Sequence, residues 1–154
     1  MDNNFNKSNT DIKNLKQVKK KNSTEIIFEN LRYGLKIWIK ALRVHQWTKN
    51  VLIFVPIITA QLINDSQSWI LAAYAFLAFS ITASSVYVIN DIIDLNDDRK
   101  HPSKKFRPFA SGDIPILHGI ISVPILLSIV GLICTILPLV FTKILIGYCI
   151  LSYA

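Results

Sequence analysis

The sequence predicts an all-α protein that forms a polytopic bundle of transmembrane helices. Hydrophobic residues make up 51% of its 154 residues, which is more than a soluble domain usually carries. Two long segments, residues 69–89 and 114–140, contain no Asp, Glu, Lys or Arg. A helix needs about 20 apolar residues to cross a hydrocarbon core of roughly 30 Å, so each segment predicts a spanning helix.

The first 22 residues predict a disordered, basic cytoplasmic tail. They have low hydrophobicity and end in the run Lys19, Lys20, Lys21. The polar N-terminus lacks the apolar core of a signal peptide, so the first membrane helix is expected to direct insertion. Attraction to anionic lipid is the predicted role of the lysines, and no nucleic-acid partner is predicted.

Residues 23–41 predict an amphipathic interfacial helix. Asn22 can cap it, with Glu25 three positions later. Apolar residues recur at helical spacing opposite basic ones; the apolar set is Ile27, Leu31, Leu35, Trp38 and Leu42, and the basic set is Arg32, Lys36 and Lys40. We interpret this helix as lying in the membrane interface, with a groove of a soluble partner as the alternative.

Two further apolar segments are shorter than a full span. Residues 51–63 supply 13 residues, so their helix is expected to begin near Leu42. Residues 144–154 are cut off after eleven residues, and a helix that stops inside the membrane leaves its last carbonyls unpaired. We therefore expect a fragment, a broken gene, or half of a split enzyme that a complementing C-terminal half completes.

The distribution of basic residues predicts the orientation. Eleven of the 17 Lys and Arg residues precede Val51, and five more lie between Asp97 and Gly112. Basic residues near helix ends are retained in the cytoplasm. The N-terminus and the 96–113 loop are therefore predicted to be cytoplasmic, with the 64–68 turn outside, in a multi-pass protein of the cytoplasmic (inner) membrane.

An acidic cluster at the end of the second span carries the strongest chemical signal. At about 100° per residue, Asp91, Asp94 and Asp98 fall within roughly 60° on one helix face. Such crowding near a membrane is costly unless a cation compensates it. Mg²⁺ is the predicted cation because it binds one or two carboxylates together with substrate phosphates. The alternative is a solvated helix end whose acids are balanced by lysines.

A basic loop follows the acids directly. Its cations are Arg99, Lys100, Lys104, Lys105 and Arg107. Acid-bound metal beside such a loop is suited to a phosphate leaving group. The sequence therefore predicts a Mg²⁺–diphosphate site at this end of the helix.

The run N-D-I-I-D-L-N-D-D-R-K-H-P-S-K-K-F-R-P-F-A-S-G at residues 90–112 resembles the first aspartate motif and loop of the UbiA superfamily of intramembrane prenyltransferases. Its D-R-x-H-P-x-K-x-x-R-P part is most similar to the decaprenyl-phosphate phosphoribosyltransferase branch. The run L-R-V-H-Q-W-T-K-N at residues 42–50 resembles the opening motif of that branch, with Val44 where Pro is usual.

The resemblance implies transfer of a phosphoribosyl group from 5-phosphoribosyl 1-diphosphate to a polyprenyl phosphate or diphosphate lipid. It implies that Asp91, Asp94 and Asp98 hold Mg²⁺ and the donor diphosphate and carry catalysis. The implied substrate-binding residues are Asn90, Lys49, Lys104, Lys105, Arg107 and His101. For His101, a simple turn histidine is an equal alternative.

The resemblance also implies a fold of about nine helices, of which residues 42–154 would be the first three and a half. No second acidic cluster follows, since Asp113 is the last acidic residue of this sequence. Two alternatives stay open: a UbiA-type prenyltransferase with another acceptor, and a non-catalytic membrane scaffold or remnant.

Overall fold

The computed structural model describes residues 23–153 and contains helices but no strand in that range. The predicted all-α fold is confirmed, whereas the predicted tail, residues 1–22, lies outside the described residues. The elements are α1 (Ser23–Ala41), a 3₁₀ helix (Val44–Phe54), α2 (Val55–Thr59), α3 (Ser66–Ile93), α4 (Leu95–Lys100), a 3₁₀ turn (Lys104–Phe106), α5 (Pro108–Ser111), α6 (Ile116–Cys134) and α7 (Leu139–Tyr153).

The chain divides into two compact units. One comprises the residues up to Lys36, and its described part is the first portion of α1; the other begins at Ile37 and contains all later elements. In this second unit α3 and α6 are long and apolar enough to cross a membrane. These two helices correspond to the two uncharged segments of the sequence.

A side-chain cap sets the start of α3. The Asp65 carboxylate accepts hydrogen bonds from the backbone N–H groups of Gln67 and Ser68, both at 3.2 Å. These bonds satisfy donors that the first turn of a helix leaves unpaired. The Ser68 hydroxyl also donates to Asp65 and lowers its pKa. The cap therefore stabilises the helix at neutral pH, and this contribution is lost as the pH falls through the lowered pKa.

The first predicted span is not a single α-helix. Residues 44–54 form a 3₁₀ helix, and α2 adds five residues. A 3₁₀ helix rises about 2.0 Å per residue against 1.5 Å in an α-helix, so a straight run of this make-up is roughly 30 Å long. A straight run of that length would equal the thickness of a hydrocarbon core.

Buried serines of α3 hold the 3₁₀ helix in place. Trp47 Nε1 donates to Ser84 Oγ at 3.0 Å, and Asn50 Nδ2 donates to Ser80 Oγ at 2.9 Å. Ser84 Oγ lies 2.7 Å from the carbonyl oxygen of Leu42. Ser80 and Ser84 are one helical turn apart and almost fully buried. These two serines therefore bind the neighbouring segment through hydrogen bonds.

The remaining boundaries differ slightly from the sequence prediction. Of the uncharged segment 114–140, helix α6 includes residues only as far as Cys134. Helix α7 begins at Leu139 rather than near Ile144. Pro138 explains the break, because a proline lacks the N–H that a continuing helix needs. Its carbonyl oxygen accepts the first bonds of α7, from Phe141 N at 3.0 Å and Thr142 N at 3.3 Å.

Two apolar clusters form the core of the second unit. One joins α3, α6 and α7 through Ala75, Ala78, Val130, Leu137 and Leu145. The other lies beside the acidic end of α3 and contains Ala41, Val88, Phe109 and Ile114. This second cluster fixes the position of the basic loop, as described below.

Candidate functional site

Two buried carboxylates lie where α3 is followed by α4: Asp91 is in the last turn of α3, and Asp98 is in α4. Asp91 is 2% exposed and Asp98 is 1% exposed. Both carboxylates contact Arg107 Nη1, so the two acids lie close together although the helix is interrupted between them at Asp94. Buried charges require partners, because desolvation without compensation costs several kcal/mol.

Arg107 connects the two acids. Its Nη1 lies 2.6 Å from Asp98 Oδ2 and 3.2 Å from Asp91 Oδ1. Lys104 Nζ lies 4.0 Å from Asp98 Oδ1, at the edge of ion-pair range. A single guanidinium nitrogen of Arg107 thus contacts both carboxylates. These contacts hold the basic loop against the two acids.

Arg43 contacts one of the buried acids, although its place in the run L-R-V-H-Q-W-T-K-N predicts no chemical role for it. Its Nη2 lies 2.6 Å from Asp91 Oδ1, although the two residues are 48 positions apart. The guanidinium stacks over the ring of Tyr87 at 4.6 Å, and Tyr87 precedes Asp91 by one turn on the same helix. Arg43 also has a left-handed backbone (φ 50°, ψ 43°), a conformation that costs a non-glycine residue about 1 kcal/mol or more.

Asp94 does not join the buried pair. Helix α3 ends at Ile93, and Asp94 forms the junction with α4, where its carbonyl oxygen accepts bonds from Asp97 N and Asp98 N. Its side chain is exposed, as is that of Asn90. Asp94 thus differs in burial from Asp91 and Asp98, and metal ligation by Asp94 stays a prediction.

The remaining predicted ligands are spread over the loop and the 3₁₀ helix. His101 Nδ1 accepts from the backbone N–H groups of Ser103 at 3.2 Å and Lys104 at 3.3 Å, so this ring caps a turn through Nδ1. Lys105 Nζ lies 5.2 Å from the centroid of the Phe106 ring. Lys49 is exposed on the 3₁₀ helix.

Phe109 anchors the loop that carries Arg107. Its side chain is 1% exposed and packs in the cluster beside the acids. The loop can close because α6 offers a glycine at the contact: a Cβ on Gly119 would lie 2.6 Å from Phe109 Cε1 and 2.8 Å from Ile92 Cδ1. Gly112 ends α5 with φ 85°, a left-handed conformation that glycine adopts without steric cost.

The Gly119→Ala variant is expected to lower the free energy of unfolding by about 1–3 kcal/mol, since it overpacks the Phe109 niche. Gly131→Ala is the matched control on the same helix, because nothing lies within 4 Å of the added Cβ. This control should be neutral or slightly stabilising, since alanine favours helix over glycine. Thermal unfolding in lipid nanodiscs measures both. Equal melting temperatures for the two variants would contradict the proposed niche.

The two carboxylates have the donor chemistry that a hard divalent cation needs. No group of three Asp, Glu, His or Cys side chains among residues 23–153 is close enough to hold a metal by itself. Mg²⁺ does not require one, because it commonly binds one or two carboxylates and completes its octahedron with water and phosphate oxygens. Asp91 Oδ2 takes part in none of the arginine contacts above, and within residues 23–153 the ion pair of Asp98 Oδ1 is the long contact with Lys104.

Comparison with known proteins matches most of the chain to one protein family. The sequence model of the UbiA prenyltransferase family matches residues 51–154. The protein y4nM of Sinorhizobium fredii is 40% identical over 96 residues, which are 62% of this chain and 19% of that protein. Decaprenyl-phosphate phosphoribosyltransferase of Corynebacterium glutamicum is 42% identical over 90 residues, 57% of this chain and 26% of that protein.

A nodulation protein also resembles the chain. NoeC of Azorhizobium caulinodans is 38% identical over 97 residues, which are 61% of this chain and 30% of NoeC. The chain thus matches less than a third of the length of each of these relatives. No solved structure matches it.

Proposed function

Because the chain belongs to the UbiA prenyltransferase family, whose members are membrane-embedded transferases, we propose that its acidic helix end and basic loop form the donor-binding part of a phosphoribosyltransferase. The donor is 5-phosphoribosyl 1-diphosphate and the acceptor is a polyprenyl phosphate. In this transfer the bond from ribose C1 to the diphosphate oxygen breaks, a phosphate oxygen of the lipid bonds to C1, and diphosphate leaves.

The observation that carries the proposal is the arginine bridge between two buried acids. Arg107 Nη1 contacts both Asp91 and Asp98, while Arg43 Nη2 contacts the same oxygen of Asp91, Oδ1. The carboxylates that would bind a metal are therefore in direct contact with the guanidinium groups that would bind phosphate oxygens. Arginine suits such a site because its planar fork binds phosphate in two places at once.

The roles of the residues follow from this arrangement. Asp91 and Asp98 would hold Mg²⁺, with Asp94 contributing from the helix junction, and the ion would supply positive charge for the departing diphosphate. Arg107 and Lys104 neutralise phosphate oxygens, and Lys49, Lys105, Asn90 and His101 Nε2 bind outlying parts of the donor. Preformed positive charge at the leaving group accounts for most of the expected catalysis, because little other chemistry is needed.

A second candidate is transfer of a prenyl group from a prenyl diphosphate to a different acceptor. The match of residues 51–154 to a family described as prenyltransferases favours it. Both reactions use a diphosphate leaving group, so the acids and arginines serve either one. The similarity to decaprenyl-phosphate phosphoribosyltransferases favours the phosphoribosyl donor.

Donor binding by the purified chain in lipid nanodiscs tests the proposal. We expect radiolabelled 5-phosphoribosyl 1-diphosphate to bind in the presence of Mg²⁺, to be released by a chelator, and to be displaced by inorganic diphosphate. Geranyl diphosphate separates the candidates: strong competition by it, with weak binding of the ribosyl donor, would favour the second. Absence of Mg²⁺-dependent binding of either donor would contradict both.

A segment exchange tests the transfer itself. In the Corynebacterium glutamicum enzyme, the 90-residue segment that this chain matches is replaced by the chain's own residues. We expect the hybrid to transfer phosphoribose to decaprenyl phosphate in isolated membranes. A hybrid that is inserted to normal levels yet inactive would count against the phosphoribosyl assignment.

A further inference from the structure

Helix α1 presents a row of large apolar side chains to its surroundings. The exposed fractions are 56% for Ile27, 71% for Phe28, 59% for Leu31 and 65% for Leu35. Exposed apolar rows of this size on a protein surface indicate contact with another molecule or with lipid. None of the roles proposed above for the acids and the basic loop uses these residues.

The charged residues of α1 lie on a separate face. At 100° per residue, Glu25, Glu29, Arg32, Lys36 and Lys40 fall within an arc of roughly 80°. The four apolar side chains occupy an arc of about 100° that does not overlap it. A narrow charged face and a broad apolar face define a helix that lies at a boundary between water and an apolar phase.

The signs of the charges on α1 indicate which apolar phase the helix contacts. The two acids lie in the first two turns of the helix, and the three basic residues follow, which also suits the helix dipole. The preceding 22 residues add six lysines against two aspartates. This excess of positive charge complements a bilayer leaflet that contains anionic lipid, whereas a groove on a protein has no general reason to be acidic.

We infer that α1 is a membrane-surface anchor: Ile27, Phe28, Leu31 and Leu35 enter an anionic leaflet, and the basic residues lie at the level of the headgroups. Each basic residue near such a leaflet adds about 1 kcal/mol, so each favours the docked over the undocked helix about fivefold. The anchor is independent of the donor chemistry proposed above, and either can fail without the other.

Spin labels on the two faces of α1 test the anchor in the full chain. The background carries Cys134→Ala and Cys149→Ala, which remove the two free thiols. Leu31→Cys and Lys36→Cys then place one label on each face, and electron paramagnetic resonance in phosphatidylglycerol-containing nanodiscs measures collision with oxygen and with a water-soluble nickel complex. We expect the label at position 31 to meet oxygen and exclude nickel, and the label at position 36 to meet nickel.

Three results would overturn the inference. Equal access of nickel to both labels would mean that the helix lies in water. A label at position 31 that is immobile and shielded from both reagents would mean that protein, such as a second copy of the chain, covers the face. An unchanged depth in nanodiscs of phosphatidylcholine alone would exclude the role of anionic lipid.

A charge variant keeps the inference testable if the labels disturb the helix. Arg32→Glu with Lys36→Glu reverses both charges, and Arg32→Lys with Lys36→Arg retains them. The reversed pair is expected to release α1 from phosphatidylglycerol nanodiscs, seen as faster hydrogen exchange of its backbone, while the conservative pair leaves exchange unchanged. Equal exchange in the two pairs would contradict the anchor.

Discussion

Replacement of Asp91 by asparagine is expected to weaken Mg²⁺-dependent binding of 5-phosphoribosyl 1-diphosphate about 100-fold or more. The change preserves the shape of the side chain but removes a negative charge that faces Arg43 and Arg107. Residues that merely support metal ligands often contribute 10–100-fold to affinity, so a direct ligand should contribute at least as much. Binding of the radiolabelled donor in nanodiscs measures the loss.

Asp97→Asn is the matched control for this prediction. It makes the same chemical change in the same segment, but Asp97 is exposed, whereas Asp91 and Asp98 are buried. Donor affinity should stay within a small factor of that of the unmodified chain. If Asp97→Asn and Asp91→Asn weaken binding equally, the effect is one of overall charge and the metal assignment is wrong.

The Asp94→Asn variant distinguishes a loss of Mg²⁺ ligation from a loss of folding stability. Because the Asp94 side chain is exposed at the junction of α3 and α4, its neutralisation should leave the melting temperature nearly unchanged. A loss of Mg²⁺ affinity in this variant would therefore report direct participation at the metal. Unaltered affinity would remove Asp94 from the site and leave the buried pair as the carboxylate ligands.

Local periodicity predicts the acidic pair but not its partners. Asp91 and Asp98 are seven residues apart, nearly two helical turns, so spacing allows them to meet; in the structure both contact Arg107 Nη1, although the helix is interrupted at Asp94. The exposure of Asp94 follows from that interruption, which no hydrophobic pattern signals. Spacing thus predicts which side chains can meet, and the end of the helix decides which are buried.

The role of Arg43 could not be predicted from spacing. Its contact with Asp91 depends on the left-handed backbone of Arg43 itself, just after α1, and on the position of the 3₁₀ helix beside α3. Both are tertiary features, since the buried serines that hold the 3₁₀ helix contact residues 30 to 42 positions away. The niche at Gly119 is similar, because a glycine in an apolar helix gives no sign of the ring that packs against it.

Removal of Arg107 is expected to be the most destabilising single change in the site. Arg107→Gln leaves two buried carboxylates with fewer partners, and breaking a buried ion pair from one side typically costs about 3–5 kcal/mol. Lys105→Gln removes the same charge from an exposed position in the same loop and should cost within about 0.5 kcal/mol. Unfolding of both variants in nanodiscs, followed by circular dichroism, measures the difference.

A double-mutant cycle with Asp98→Asn determines whether the cost comes from the bridge. If the uncompensated carboxylate causes the loss, the double variant should be more stable than the two single losses predict, by roughly 1–3 kcal/mol. Additive losses would mean that Arg107 stabilises the loop through other contacts. Arg107→Lys completes the comparison: an ammonium retains the charge but lacks the planar fork, so it should recover only part of the coupling to Asp98.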